Sequence, residues 1–199
     1  MVIVGPQSYR STRLFMAGSI HVFTIGFQPG GFHALFGVPM TELVDQGAVA
    51  RDVIGAAASD LRDAVMLAPD FGARVDAAHR WTAMRMTSAR PVDQVGWLAA
   101  ALQRSGGRLR IKALAERAML SERQFARRFE SQIGLKPKLF ARTVRFNSVL
   151  SAKAQAPQST WTELAHRAGY ADQSHFVRDC QALAGAAPRD FFSEWLQSR

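Results

Sequence analysis

Apolar residues in the first part of the chain are arranged as in short β-strands. Over residues 13–36, β-branched and aromatic residues are interrupted by glycines. This pattern predicts two strands, at 13–17 and 20–27, followed by a turn at residues 28–31. Because two strands do not form a stable sheet on their own, residues 1–40 are predicted to be the β-rich remnant of a larger domain, or to pair with another chain.

After this β-like part, apolar residues recur every three or four positions, as on one face of a helix. The spacing predicts helices at 49–68 and 70–87. Pro91-Val92-Asp93 predicts the start of a third helix, and Ser105-Gly106-Gly107 predicts its end and a domain boundary. Residues 41–106 are therefore predicted to form a helical linker. The apolar stripes of its first two helices either support dimerisation or pack on each other.

The last part of the chain contains an internal repeat. Residues 114–120 recur at 164–170 with an offset of 50, and residues 125–140 recur at 176–191 with an offset of 51. Each unit predicts a short helix, a tight turn and a second helix, which together form the helix-turn-helix motif. Residues 107–199 are therefore predicted to be a domain with two helix-turn-helix units.

Capping residues and a connecting helix complete this prediction. Ser121 and Gln124 have the spacing of a capping box, and Asp172 is the expected N-cap in the second unit. The stretch 136–154 predicts a helix of about seventeen residues, or about 25 Å, which can hold two units about one turn of DNA apart. The predicted fold class is mainly α: two helix-turn-helix units joined by a long linker helix, preceded by a helical segment and a short β remnant.

Positive charge is concentrated in the repeat. Residues 1–106 hold 9 Lys or Arg and 8 Asp or Glu, whereas residues 107–199 hold 16 and 8, and the formal charge of the whole chain is +9. A basic half beside a near-neutral half favours a polyanion as the partner of the second half. The simpler alternative is a basic surface that only keeps the protein in solution.

The sequence lacks motifs of enzymes, metal sites and membrane proteins. The histidines form no HExxH motif, and neither GxSxG nor GxxxxGKS/T occurs. His175 has no second ligand at metal spacing on its face, which favours a capping or phosphate-binding role. Cys180 is the single cysteine and has apolar neighbours, and no apolar run approaches the ~20 residues of a membrane span. We therefore predict no catalytic residue, metal, cofactor or membrane segment.

The repeat contains two stretches that carry a family resemblance, LAERAMLSERQFARRFESQIGLKPKLF and ELAHRAGYADQSHFVRDCQALAGAAPRDF. In the second stretch, Gly169-Tyr170, Ser174-His175-Phe176 and Pro188 stand where the signature of the family has them. The segment 107–197 resembles the C-terminal DNA-binding domain of AraC/XylS-type transcription regulators. The resemblance covers nearly half of the chain.

This resemblance implies that the second helix of each unit enters the major groove of DNA. By motif position, the expected base-reading residues are Arg123, Ala126, Arg127, Gln173, Ser174 and Arg178. Arginine binds guanine and glutamine binds adenine through two hydrogen bonds each, whereas Ala126 offers only a methyl contact. The expected phosphate contacts, which position the protein without specifying sequence, are Ser121, Gln124, Arg128, Lys136, Lys138, Arg142 and His175. For Arg142 and Arg145, a role other than phosphate contact is an equal alternative; Arg145 could instead pair with an acid across the linker helix.

The stretch GFQPGGFHALFGVPMTELVD resembles the end of the cupin-like sensor domain of some of these regulators. The resemblance implies that most of the β-barrel preceding this point in the family is missing. The chain is then a fragment, begins at an internal Met or is a short form. Binding of a small-molecule effector stays an open question.

Together, these features predict a cytoplasmic, bacterial-type regulator that binds double-stranded DNA sequence-specifically and is not an enzyme. RNA polymerase is the expected second partner, and helices 49–87 could form a homodimer. A rival hypothesis is a ligand-sensing or protein-interaction module with a basic docking face. A second rival is a methyl-transferring DNA-repair protein with the same double motif. It is disfavoured because Cys180 lies inside the predicted second helix of the second unit.

Overall fold

The structure is a computed structural model that describes residues 1–8 and 22–197. Within these residues it contains two short strands, one 3-10 helix and eleven α-helices. The elements are β1 Val2–Val4, α1 Gly31–Phe36, the 3-10 helix Met40–Leu43, β2 Gly47–Val49, α2 Ala50–Ile54, α3 Ala56–Met66, α4 Phe71–Met86, α5 Gln94–Arg104, α6 Ile111–Arg117, α7 Glu122–Ile133, α8 Pro137–Gln155, α9 Trp161–Arg167, α10 Gln173–Ala184 and α11 Pro188–Gln197.

The two strands are not those predicted from the sequence. β1 and β2 pair antiparallel, with Val2 opposite Val49. The predicted strand at 13–17 lies outside the described residues, and residues 22–27 form no strand, so the prediction of a strand at 20–27 is wrong there. Phe23 and Ile25 pack instead against the α3–α4 core. Their alternating pattern therefore reflects burial against helices rather than pairing in a sheet.

The two helices that precede the repeat form a small core of their own. The predicted helix at 49–68 is broken at Gly55, whose φ of 59° and ψ of −138° interrupt it between α2 and α3. The second predicted helix is confirmed as α4. Leu61 and Trp81 are buried between α3 and α4, and the Trp81 indole donates a hydrogen bond to the Ala57 carbonyl oxygen over 3.1 Å. Much of the apolar stripe that was considered as a dimer interface is thus buried between helices of the same chain.

The basic half forms two cores that share the long helix α8. The first core joins α5, α6 and α7, and Ala141 of α8 belongs to it. The second joins α8 to α9, α10 and α11, with Phe146 and Val149 at its centre. The prediction of a mainly α fold with two helix-turn-helix units joined by a long helix is confirmed. Because α5 shares the first core, the turn at residues 105–107 lies inside a packed unit.

This turn docks directly on α8. Gly107 is buried with a φ of 75°, and a Cβ atom at this position would lie only 2.2 Å from the Ala141 carbonyl oxygen. The guanidinium of Arg145 donates a hydrogen bond to the Gly107 carbonyl oxygen over 3.0 Å. Only glycine allows such an approach in this conformation, so Gly107 holds the start of the first unit against the linker helix.

Candidate nucleic-acid interface

The helix α7 begins and is oriented as its sequence predicts. The Ser121 hydroxyl accepts a hydrogen bond from the backbone N–H of Gln124, and the Gln124 side chain accepts one from the N–H of Ser121. This reciprocal capping box satisfies two backbone donors that the helix would otherwise leave unpaired. Phe125 and Phe129 are fully buried in the first core. The opposite face presents Arg123 and Arg127 to solvent, with Ala126 half-buried.

The helix α10 has the equivalent arrangement in the second unit. The Asp172 carboxylate caps its N-terminus by accepting a hydrogen bond from the His175 backbone N–H over 2.7 Å. Phe176 and Cys180 are buried. The exposed face carries three of the predicted base-reading residues, Gln173, Ser174 and Arg178. We call α7 and α10 the reading helices from here on.

Three arginines on the reading helices have no partner within the described part of the chain. In the part of the chain whose side chains the structure describes, Arg123, Arg127 and Arg178 make no hydrogen bond or ion pair. Gln173 differs, because its side-chain oxygen accepts a hydrogen bond from the Thr162 hydroxyl over 2.8 Å. This contact orients the amide and leaves its two N–H donors available. The guanidinium groups are therefore free to bind a ligand, and the Gln173 amide is held in position.

The predicted phosphate contacts fall into two groups. Lys136 and Lys138 are exposed at the N-terminal end of α8 and have no partner within the described residues. Arg128 forms an ion pair with Asp93 over 3.1 Å, and Arg142 forms one with Asp179 over 2.7 Å. The structure thus gives these two arginines an internal role, one of the alternatives left open for Arg142. Ser121 and Gln124 already serve the capping box.

His175 lies beside the turn of the second unit rather than at a metal site. Its ring meets the Tyr170 ring edge to face, with a centroid separation of 5.2 Å. Within the described residues, no three His, Cys, Asp or Glu side chains are grouped so that they could hold a metal ion. No helix among them is long and apolar enough to cross a membrane.

The turn of each unit contains a residue in the left-handed backbone conformation. Met119 has a φ of 54° in the first turn, and Gly169 has a φ of 88° at the equivalent place in the second. The second turn is one residue longer, because the N-cap is Ser121 in the first unit and Asp172 in the second. This insertion explains the change of offset in the sequence repeat.

Asp179 is a site residue that the sequence reasoning missed. It lies on α10 among buried residues and is only 3% exposed. Its carboxylate accepts hydrogen bonds from the Arg142 guanidinium and, over 3.2 Å, from the Tyr170 hydroxyl. Burial, and then the neighbouring Asp179 carboxylate, raises the pKa of Tyr170, which keeps this donor protonated. The sequence could have predicted that Asp179 is buried, since it stands three residues after Phe176 and so lies on the same face of the predicted helix.

Cys180 is the next residue on the same buried face. Burial raises the pKa of its thiol to about 11, so at neutral pH the group is a thiol and not the nucleophilic thiolate. This chemistry suits a core residue and argues against the alkyl-accepting cysteine of a repair enzyme.

Comparison with known families agrees with this geometry. Residues 114–194 match a helix-turn-helix domain, and residues 1–48 match a domain of unknown function (DUF6597). Comparisons with curated proteins and with solved structures gave no match. The matched residues run from α6 to α11 and include both reading helices. The helix-turn-helix match over residues 114–194 is of the AraC type, and together with the N-terminal match it is consistent with an AraC-type regulator.

Proposed function

We propose that the protein binds DNA sequence-specifically by inserting α7 and α10 into successive segments of the major groove. The observation that supports this most directly is that Arg123, Arg127 and Arg178 on the two reading helices have no partner among the described residues. Arg128 and Arg142, by contrast, pair with acids of the chain.

The chemistry of these side chains suits the edges of bases. A guanidinium binds O6 and N7 of guanine with two hydrogen bonds, and each good pair of this kind contributes about 1–3 kcal/mol of discrimination. Gln173 would bind adenine in the same way, with its orientation held by Thr162. Ser174 would donate to or accept from a base, and Ala126 would contact the methyl group of thymine. Several contacts of about 1–3 kcal/mol each together reach the roughly 4–10 kcal/mol by which specific binding typically exceeds non-specific binding.

The two reading surfaces are not alike, which predicts an asymmetric operator. The first unit presents Arg123, Ala126 and Arg127, whereas the second presents Gln173, Ser174 and Arg178. A monomer would therefore recognise two different half-sites about one turn of DNA apart. Lys136, Lys138 and His175 would add phosphate contacts that set the register without reading the sequence.

Further partners follow from this proposal. A regulator of this kind works in the cytoplasm with RNA polymerase, and it activates or represses through contacts that lie outside the reading helices. A homodimer would use the apolar residues of α3 and α4 that remain exposed, such as Met66, Leu67 and Phe71. An effector would act through the N-terminal segment, whose 3-10 helix packs against α7.

Selection of bound duplexes from a random DNA pool, at near-physiological salt, tests the proposal. Salt is part of the design because non-specific affinity falls steeply as salt rises. We expect enrichment of an asymmetric site with two half-sites. Binding that disappears as salt rises, without enrichment, would instead favour the rival hypothesis of a basic docking face.

A pair of double variants separates base reading from net charge. Arg127→Ala with Arg178→Ala should abolish sequence preference, with about 1–3 kcal/mol lost per contact. The control, Arg51→Ala with Arg80→Ala, removes the same charge from exposed positions outside the repeat. It should leave the selected sequence unchanged. Equal effects of the two double variants on specificity would refute the assignment of Arg127 and Arg178 to bases.

A further inference from the structure

The second reading helix is anchored by a buried carboxylate that sits next to a base-reading residue in the chain. Asp179 directly follows Arg178 on α10 and points into the opposite, buried face of the helix. A buried carboxylate is costly unless it is paired and hydrogen-bonded. Its position is therefore tied closely to the positions of its partners.

These partners lie on the linker helix and in the turn of the second unit. The Nε and one terminal nitrogen of Arg142 donate to one oxygen of Asp179, over 3.0 Å and 2.7 Å. The Tyr170 hydroxyl donates to the other oxygen over 3.2 Å. Arg145, one turn further along α8, places its guanidinium 5.3 Å from the centre of the Tyr170 ring. Charge-assisted contacts with these geometries are directional, so they define the rotation of α10 about its own axis.

The same segment of α8 is bound to the first unit. Ala141, the residue before Arg142, belongs to the first core. Arg145 donates to the Gly107 carbonyl oxygen in the turn before α6. Position 142 thus lies where α8 leaves the first unit, and its ion pair reaches into the second. The other α8–α10 contacts, among Phe146, Phe176 and their neighbours, are apolar, and the hydrophobic effect that favours them is non-directional.

The equivalent position in the first unit provides a contrast. With the repeat offset of 51, Asp179 corresponds to Arg128, and Arg128 also pairs with a helix that precedes its unit. Its partner Asp93 is the N-cap of α5, so the charges of the pair are reversed. The side chains of Arg128 and Asp93 are 51% and 32% exposed, whereas that of Asp179 is 4% exposed. The first pair joins elements that share the first core, but the second spans the joint between the two units.

We propose that Arg142 and Asp179 form a positioning pair that sets the separation and rotation of the two reading helices, and through them the spacing of half-sites that the protein accepts. This inference rests on the proposed function. One base pair of DNA corresponds to a shift of about 3.4 Å and a rotation of about 34°. If the connection between the two units does not move by this much, the protein binds poorly to duplexes whose half-sites are one base pair too close together or too far apart.

The test measures affinity as a function of half-site spacing, with the full chain and the selected duplex. Fluorescence anisotropy is recorded for this duplex and for versions with one or two base pairs inserted or removed between the half-sites. For the wild type, we expect each single-base-pair change to weaken binding about tenfold, as for a lost base contact. Asp179→Asn keeps the shape of the side chain but removes its charge. It should reduce this penalty to about threefold or less, with loss of affinity mainly at the best spacing.

Two further variants separate positioning from general stability. Arg128→Gln removes the equivalent ion pair of the first unit and should keep the wild-type spacing profile, even if affinity falls at every spacing. Arg142→Lys keeps the charge but loses the two-nitrogen contact, and it should give an intermediate profile if Asp179→Asn fails to fold. Thermal melting followed by circular dichroism shows which variants are folded.

The outcomes are distinct. If folded Asp179→Asn weakens binding by the same factor at all spacings, or if Arg142→Lys keeps the full wild-type penalty, the pair only stabilises the fold and the inference is overturned. If the wild type tolerates every spacing equally, no positioning exists and the inference is also overturned. If selection with the wild type enriches no duplex at all, the proposed function is wrong, and this inference, which rests on it, is overturned too.

Discussion

Replacement of Gly107 by alanine should destabilise the protein through a contact that the glycine makes possible. Two costs combine at this position. An alanine with a φ of 75° loses about 1–2 kcal/mol in the left-handed conformation. Its Cβ would also lie 2.2 Å from the Ala141 carbonyl oxygen and 3.2 Å from the Arg145 nitrogen. Relief of such overlap by backbone shifts costs about 1–3 kcal/mol.

One effect acts in the opposite direction, because alanine restricts the unfolded chain and recovers about 0.4–1 kcal/mol. The net destabilisation expected for Gly107→Ala is therefore about 1–4.5 kcal/mol, from the terms above. It should appear as a lower midpoint of urea unfolding, followed by circular dichroism with an unchanged slope. The shift of the turn should also weaken the hydrogen bond from Arg145 to residue 107 and so affect DNA binding.

The neighbouring glycine is a matched control. Gly106 also has a positive φ, 66°, but a Cβ atom there would lie 3.5 Å from the Ser148 hydroxyl oxygen, an ordinary contact. Gly106→Ala therefore bears only the conformational cost, about 1 kcal/mol or less after the unfolded-state effect. If the two variants unfold at the same urea concentration, the close approach of Gly107 to α8 does not have the energetic role described here.

Two further predictions concern the turns and the phosphate contacts. Met119→Gly should stabilise the protein by about 0.5 kcal/mol, because glycine removes the backbone strain of a left-handed residue. Little packing is lost, since Met119 is 87% exposed. Gly169→Ala should destabilise it by about 1 kcal/mol for the converse reason, and opposite signs in thermal melting would confirm the equivalence of the two turns. Lys136→Gln and Lys138→Gln should each weaken binding uniformly across sequences and reduce the slope of log K against log salt by about 1. An unchanged slope in the titration would remove these lysines from the set of phosphate contacts.

Sequence patterns over a few residues predicted the helix caps of the two units. The capping box of Ser121 and Gln124 and the cap at Asp172 were predicted from residue types and spacing alone, and the structure contains both. The change of the repeat offset from 50 to 51 agrees with a second turn that is one residue longer. Such features depend on bonds between residues three or four apart, so they are encoded within a single window of sequence.

Predictions failed where the partner lies far along the chain. The strand predicted at 20–27 rested on β-branched and aromatic residues between glycines, but Phe23 and Ile25 pack on helices. The observed strands pair residues 2–4 with residues 47–49, and such short segments carry little pattern of their own. Burial can be inferred from a local pattern, but the identity of the element that does the burying cannot.

The sequence by itself therefore predicted the two helix-turn-helix units, because periodicity and capping are local, whereas the class of protein and the predicted base-reading positions on α7 and α10 came from its resemblance to AraC/XylS-type regulators. Only the tertiary structure decided which of these basic residues have a partner among the described residues. Arg128 and Arg142 looked like Arg123 and Arg127 in the sequence, yet the first two meet Asp93 and Asp179. Their carboxylates lie 35 and 37 residues away along the chain. An ion pair depends on distances of a few ångströms in space, and only the packing of α5 and α8 on the reading helices brings these charges together.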